Sequence, residues 1–199
     1  MTITKDTLLA AIDRVAAAME RDFNELNAAD GALGDGDLGV TMTRGMRAIV
    51  EMKDALPDDV GMLLFQCAQA FTKSSGSSYG TLMATGLMSA AKTLKGQTSI
   101  NPADVSALVA GARDKMQERG KADLGGKTVL DALNYLAKAT DGTEDILAAA
   151  SASVDQALED FRDRPATVGR ARIFGEKSVG LDDPGMLAMQ RVVKAAVGA

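Results

Sequence analysis

"AIDRVAAAMERDFNELNAADGALGDGDLG", residues 11–39, begins as a helix and ends as something else. Ile12, Val15, Met19, Phe23 and Leu26 recur at spacings of three and four, the apolar stripe of a long first helix that is expected to end near Ala29. Residues 30–39 then pack three aspartates and four glycines into ten positions. Like charges so close together repel, and glycines forfeit helix stability, so the loop needs a cation or ligand to justify it.

The same stripe-and-break pattern continues along the 199 residues. Helices are expected over about Thr41–Leu56, Val60–Phe71, Thr81–Leu94, Thr128–Ala139, Thr143–Phe161 and Pro184–Val197. Another is marked by Asn101 as N-cap, Pro102 in the first turn and Gly120 as its stop. No strand and no hairpin signal stands out. Apolar residues make up 46% of the chain but aromatics only 4%, with no Trp, so helices packed through small side chains are favoured over a sheet. The expectation is an all-α single domain over residues 1–199, an eight-helix antiparallel up-and-down barrel or bundle.

Bulk numbers exclude several classes of function. A net charge of −5 gives no electrostatic footprint for nucleic acid. No apolar run approaches the roughly 18 residues of a membrane helix, and the N-terminus has no cleavable apolar core, so a cytoplasmic setting is expected. Cys67, the single cysteine, lies in "LLFQCAQAF" and reads as a core thiol. There is no histidine, so any chemistry proceeds without imidazole.

Four connections depart from ordinary turn chemistry: 30–39, "SSGSSYG" at 74–80, "RGKADLGGKT" at 119–128, and "GRARIFGEKSVGLDDPG" at 169–185. In an up-and-down array these odd-numbered connections share one rim. Asp30, Asp35 and Asp37 offer only carboxylates, which select hard cations such as Mg²⁺. The spacing excludes an EF-hand, since Met46 stands where its bidentate Glu belongs. The serine loop's small residues admit an anion to backbone N–H groups and to the next helix N-terminus. Arg170 and Arg172 read either as polyphosphate ligands or as a surface ion-pair cluster. Lys121 and Lys127 stay equally open, and Lys73 reads as a solvated residue. Together the four loops describe a Mg-nucleotide site on one end of a helical array.

"GDGDLGVTMTRG", "SSGSSYGT", "RGKADLGGKTVLDAL" and "GRARIFGEKSVGLDDPG", in that order, resemble the nucleotide-binding L subunits (DhaL) of dihydroxyacetone kinases. The resemblance implies an eight-helix barrel that binds ADP or ATP through two Mg²⁺ ions on Asp30, Asp35 and Asp37. It implies phosphate and nucleotide contacts from Gly39, Val40, Thr41, Ser74 and Ser75, and further contacts from Gly120, Val129, Arg170, Asp182, Asp183 and Pro184. It also implies a separate K-type subunit that holds the ketose on a histidine, and in some members a phosphotransferase-system protein as phosphoryl donor. A homodimer or hetero-oligomer is expected. The chain departs from the family pattern at Leu38 and Leu181, where histidines are usual, and its serine loop is one residue shorter. Rival readings are a kinase subunit for a tetrulose or another short ketose, a fatty-acid kinase, and a non-catalytic nucleotide sensor.

Overall fold

Residues 2–199 are described by a computed structural model, in which nine α-helices form a closed ring. They are α1 (Lys5–Arg21), α2 (Phe23–Leu33), α3 (Leu38–Met52), α4 (Val60–Ser74), α5 (Ser78–Thr93), α6 (Val105–Gly120), α7 (Val129–Ala139), α8 (Ile146–Arg162) and α9 (Pro184–Val197). From α3 onward each helix packs on its successor; α1 packs on α3, and α9 returns to α1 to close the barrel. The eight expected staves are present, the first of them divided in two.

That division falls at Asp22. Its backbone leaves the helical region (φ −94°, ψ 8°), and its carboxylate takes a fork of two hydrogen bonds from Arg21 at 2.7 and 2.8 Å. Beyond it, α2 continues through Asp30 and Gly31 to Leu33, four residues past the expected end. Tertiary packing outweighs the glycine penalty here: Leu33 is buried with Ala166 and Ala171. Asp30 therefore sits on a helix rather than in a loop.

Other boundaries also move: α3 starts at Leu38 rather than Thr41 and gives way after Met52 to a 3₁₀ turn, Lys53–Ala55, rather than running to Leu56, and α4 continues to Ser74 rather than Phe71. Helix α5 starts at Ser78 rather than Thr81, because Ser77 caps it by accepting from the Gly80 N–H at 3.0 Å. Helix α8 starts at Ile146 rather than Thr143, behind an Asp145 cap. The Asn101–Pro102 signal is present as a 3₁₀ turn, Pro102–Asp104, leading into α6. One short strand pair was not expected: Ile3–Thr4 runs antiparallel to Ser99–Ile100 and ties the end of the barrel away from the aspartates. Two residues are too few to show a period of two.

The core is aliphatic and Met-rich, with Met19, Leu26, Met42, Leu63, Val154 and Met186 essentially dry. Small residues let the staves approach. A Cβ on Gly45 would meet the Phe71 ring at 2.4 Å, so α3 and α4 touch only because that position is bare. Cys67 lies in this core, and burial raises its thiol pKa to about 11, so it stays protonated and inert.

Candidate functional site

The four unusual connections do meet at one rim. They line three chambers that share Ser78 and Arg170, with volumes of about 190, 700 and 360 Å³. The first and third hold the aspartates; the second is flanked by Leu82, Met116, Ala122, Val129, Leu130 and Val168. The cleft is thus acidic on one side, and on the other it combines those apolar walls with the basic side chains of Arg119, Lys121 and Arg172.

The acidic side is built by the end of α2 and the start of α3. Asp30 Oδ2 accepts from the N–H groups of Asp37 (2.9 Å) and Leu38 (3.2 Å), capping α3 across the loop. The Asp30 carboxyl lies against Gly34, where a Cβ would meet Oδ1 at 2.4 Å, so a side chain there would displace the carboxyl. Gly36 supplies the left-handed turn, φ 79°, between Asp35 and Asp37. Carboxylate oxygens of all three aspartates lie within 4.8 Å of one another. Burial raises the Asp37 pKa, and Asp35 and Asp30 add repulsion that Arg170 partly offsets. Arg170 bonds directly to Asp35, so the protein's own cation faces the cluster.

Three oxygen-only ligands converging on a rim, without His or Cys, fit a hard divalent cation. Ser78 and Tyr79 form the first turn of α5, whose N–H groups have no acceptor within the helix, and both line the first chamber with the aspartates. Anion donors and cation ligands therefore line the same chamber.

Ser74 and Ser75, named from the sequence, line the third chamber with Asp35, Asp37 and Arg170, and Ser77 and Ser78, which the sequence did not single out, line it too. Ser74 ends α4 and donates to the Phe71 carbonyl at 3.2 Å. Ser75 Oγ lies 3.1 Å from Ser77 Oγ and 3.5 Å from Thr41 Oγ1, and accepts from the Ser77 N–H at 3.2 Å, tying the serine turn to α3. The available signal was Gly80, whose Cβ would meet Ser75 Oγ at 2.7 Å and which therefore marks the tight first turn of α5.

Gly39 and Val40 stand differently from the family expectation. Their N–H groups donate to Asn27 Oδ1 at 2.8 and 3.3 Å, so these donors are already satisfied. A Cβ on Gly39 would meet the Phe23 carbonyl at 2.3 Å, which makes it a packing glycine between α2 and α3. Val40 and Thr41 line the third chamber with their side chains. Asn27 is the residue that sequence reasoning missed here. Asn27→Ala should lower stability by about 1–2 kcal/mol by orphaning these donors, read as a lower urea midpoint at unchanged slope.

On the far side, Gly120 and Val129 line the large chamber together with Lys121 and Arg172. The left-handed residue ending α6 is Lys121 (φ 47°), not Gly120. Lys127 is not at the cleft; its ammonium is spent on backbone carbonyls. Asp182 turns outward into a two-hydrogen-bond pair with Arg162, at 2.9 and 3.2 Å, and lines none of the three chambers. Pro184 and Asp183 do line the first chamber. Leu38 lines it too, whereas Leu181 is exposed and does not.

Asp183 caps α9, accepting from the Met186 N–H at 2.8 Å, and burial pushes its pKa up to about 7 against the capping N–H groups and the Lys127 ammonium. The folded state then holds this proton more tightly than the unfolded chain, whose value is near 3.8. Its contribution to stability is greatest at low pH, declines between about pH 4 and pH 7, and is level above. Asp183→Asn keeps a cap and removes that decline. The difference between variant and parent in chemical unfolding should change by up to about 4 kcal/mol across this window.

A profile of the DAK2 domain matches residues 32–198, which takes in three of the four cleft connections whole and the first from Ala32 onward, leaving Asp30 just outside. The chain belongs to the DAK2 domain family. Among relatives of this DAK2 domain, the ADP-binding subunit DhaL of the PEP-dependent dihydroxyacetone kinase of Escherichia coli is 27% identical, over 98% of this chain and 99% of its own. The human triokinase/FMN cyclase is 33% identical over 92% of this chain, and the L-erythrulose 1-kinase of Mycolicibacterium smegmatis 34% identical over 86%. Those two proteins are longer, and the match covers 33% and 31% of them. The dihydroxyacetone kinase of C. freundii, solved with AMP-PNP and Mg²⁺, superimposes with a TM-score of 0.76 at 26% identity, over 96% of this chain and 33% of that one.

Proposed function

We propose that this DAK2 domain, residues 1–199, is the nucleotide-binding phosphotransfer subunit of a dihydroxyacetone kinase. The observation that carries the reading is the convergence of Asp30, Asp35 and Asp37 in one chamber with the first turn of α5, with Arg170 paired to Asp35 in the same chamber. Asp30, Asp35 and Asp37 would hold one or two Mg²⁺ ions. The bound metal supplies charge neutralisation for the polyphosphate of ADP or ATP. The chain's own residues do the rest. The Ser78 and Tyr79 N–H groups receive phosphate oxygens, and Arg170 exchanges Asp35 for the transferring phosphoryl group. The apolar patch formed by Leu82, Met116 and Val129 in the large chamber accepts the base, with Gly120 beside it, while Pro184 and the capped Asp183 wall the first chamber.

Phosphoryl transfer demands positioning and electrostatics rather than covalent chemistry from the protein, and nothing in this set requires imidazole. The chain has no histidine with which to anchor a ketose, so the acceptor arrives on a K-type partner in a hetero-oligomer, in a cytoplasmic setting. The near full-length match to an ADP-binding subunit of a PEP-dependent enzyme supports a phosphotransferase-system donor that recharges bound ADP. The likeness to an L-erythrulose 1-kinase favours one alternative, a tetrulose as acceptor.

Combining the chain with a K-type subunit tests the assignment. Transfer of ³²P to dihydroxyacetone supports it, and the supply of either ATP or a phosphorylated carrier protein identifies the donor. Nucleotide binding without transfer to any short ketose would instead leave a nucleotide-sensing module.

A further inference from the structure

Lys127 is only 1% exposed, although it interrupts a glycine-rich rim loop. Its backbone φ of 62° makes it one of two non-glycine residues at positive φ among the described residues, a conformation with a real steric cost. Its ammonium donates three hydrogen bonds, each 2.8 Å, to the carbonyls of Arg162, Arg164 and Ser178. An ammonium has three donors, and all three are used on backbone. Those carbonyls belong to the end of α8 and to the strap, residues 163–183, that joins α8 to α9.

Three neighbouring contacts pin the same strap. The Thr167 N–H donates to the Gly126 carbonyl at 3.2 Å, and Val168 packs where a Gly126 Cβ would stand, 2.5 Å from its Cγ2. Fully buried Ser178 accepts from the Ala166 N–H at 2.7 Å and donates to the Gly175 carbonyl at 2.6 Å. Between these pins run Val168, Gly169 and Arg170, which line both the first and second chambers. Burial pulls the Lys127 pKa down, while Asp183, Asp182 and Asp163 hold it up and Arg162 opposes them.

We propose that Lys127 is a positioning residue: its ammonium fixes the strap so that Val168–Arg170 roof the cleft, and nucleotide affinity depends on it while cation binding does not. This rests on the nucleotide reading of the cleft. Methionine fills the same volume without donors, and the planar arginine fork does not match three converging carbonyls. Without the ammonium the strap opens, and only the small closed fraction binds, which lowers apparent affinity by the inverse of that fraction.

The test uses the full chain. Calorimetry with Mg-ADP is expected to show Lys127→Met weakened about 30-fold and Ser178→Ala about 5-fold. Mn²⁺ binding to the three aspartates, read by electron paramagnetic resonance without nucleotide, should stay within about two-fold of the parent. Amide exchange should lose protection over residues 164–180 and nowhere else. Unchanged Mg-ADP affinity in a folded Lys127→Met protein overturns the proposal, and so does protection lost evenly across the helices. Should that variant not fold, Ser178→Ala decides, and parental affinity there overturns it. Failure of the parent itself to bind Mg-ADP would instead refute the nucleotide reading.

Discussion

Asp35→Ala is expected to abolish Mg²⁺-dependent nucleotide binding while leaving the fold intact. Asp35 is exposed, caps no helix, and makes its one close contact with Arg170. Its removal therefore changes apo stability by no more than about 0.5 kcal/mol. It also leaves two carboxylates where a small, reluctantly dehydrating cation shares its ligands with phosphate oxygens. A loss of at least about 100-fold in Mg-ADP affinity, roughly 2.7 kcal/mol, follows. Calorimetry at several Mg²⁺ concentrations, with a ligand-free melt as control, separates the two effects. Asp30→Ala is the less clean experiment, because Asp30 also caps α3 through the Asp37 and Leu38 N–H groups. An Asp35→Ala protein that binds ADP with the parent's Mg²⁺ dependence would remove the cluster from the site.

Arg170→Ala should move two observables in opposite directions. Without a cation the guanidinium neutralises Asp35 and, at longer range, Asp30 and Asp37, as its raised pKa reflects. Its removal takes away a competitor, so Mn²⁺ alone binds a few-fold more tightly; the gain is small because the pair is half exposed. Phosphoryl transfer responds the other way. A cation on the transferring group is worth about 10³-fold or more in rate, so turnover with the K-type partner should fall by that order. Parallel losses in both measurements would show that Arg170 merely supports the loop.

The staves and their order were legible because each carries a long apolar stripe, and the rim was legible because glycine, serine and aspartate cluster in alternate connections. What escaped the sequence depended on partners distant along the chain. Asn27 lies within an unremarkable helical stretch, and only the return of α3 brings Gly39 and Val40 to its side-chain oxygen. The extension of α2 past Ala29 depends on Leu33 meeting Ala166 and Ala171, more than 130 residues later. Lys127 shows the same limit most sharply. A lysine between glycine and threonine reads as a phosphate ligand or a solvated charge, and three carbonyls, one ending α8 and two from the strap, decide that it is neither. Asp182 and Asp183 are adjacent in sequence, yet one pairs with Arg162 outside and the other caps α9 at the cleft wall.

The central claim is that the three-aspartate rim is a Mg-nucleotide site, and a thermal melt of the full chain with ADP or ATP, with and without Mg²⁺, tests it most directly. A ligand at about 100 times its dissociation constant adds roughly 2.7 kcal/mol. For a domain of this size that raises the midpoint by about 5–11 °C. The predicted result is a shift of that order with Mg²⁺ and nucleotide together, and little with either alone. Equal shifts with and without Mg²⁺, or none with either nucleotide, would contradict the account.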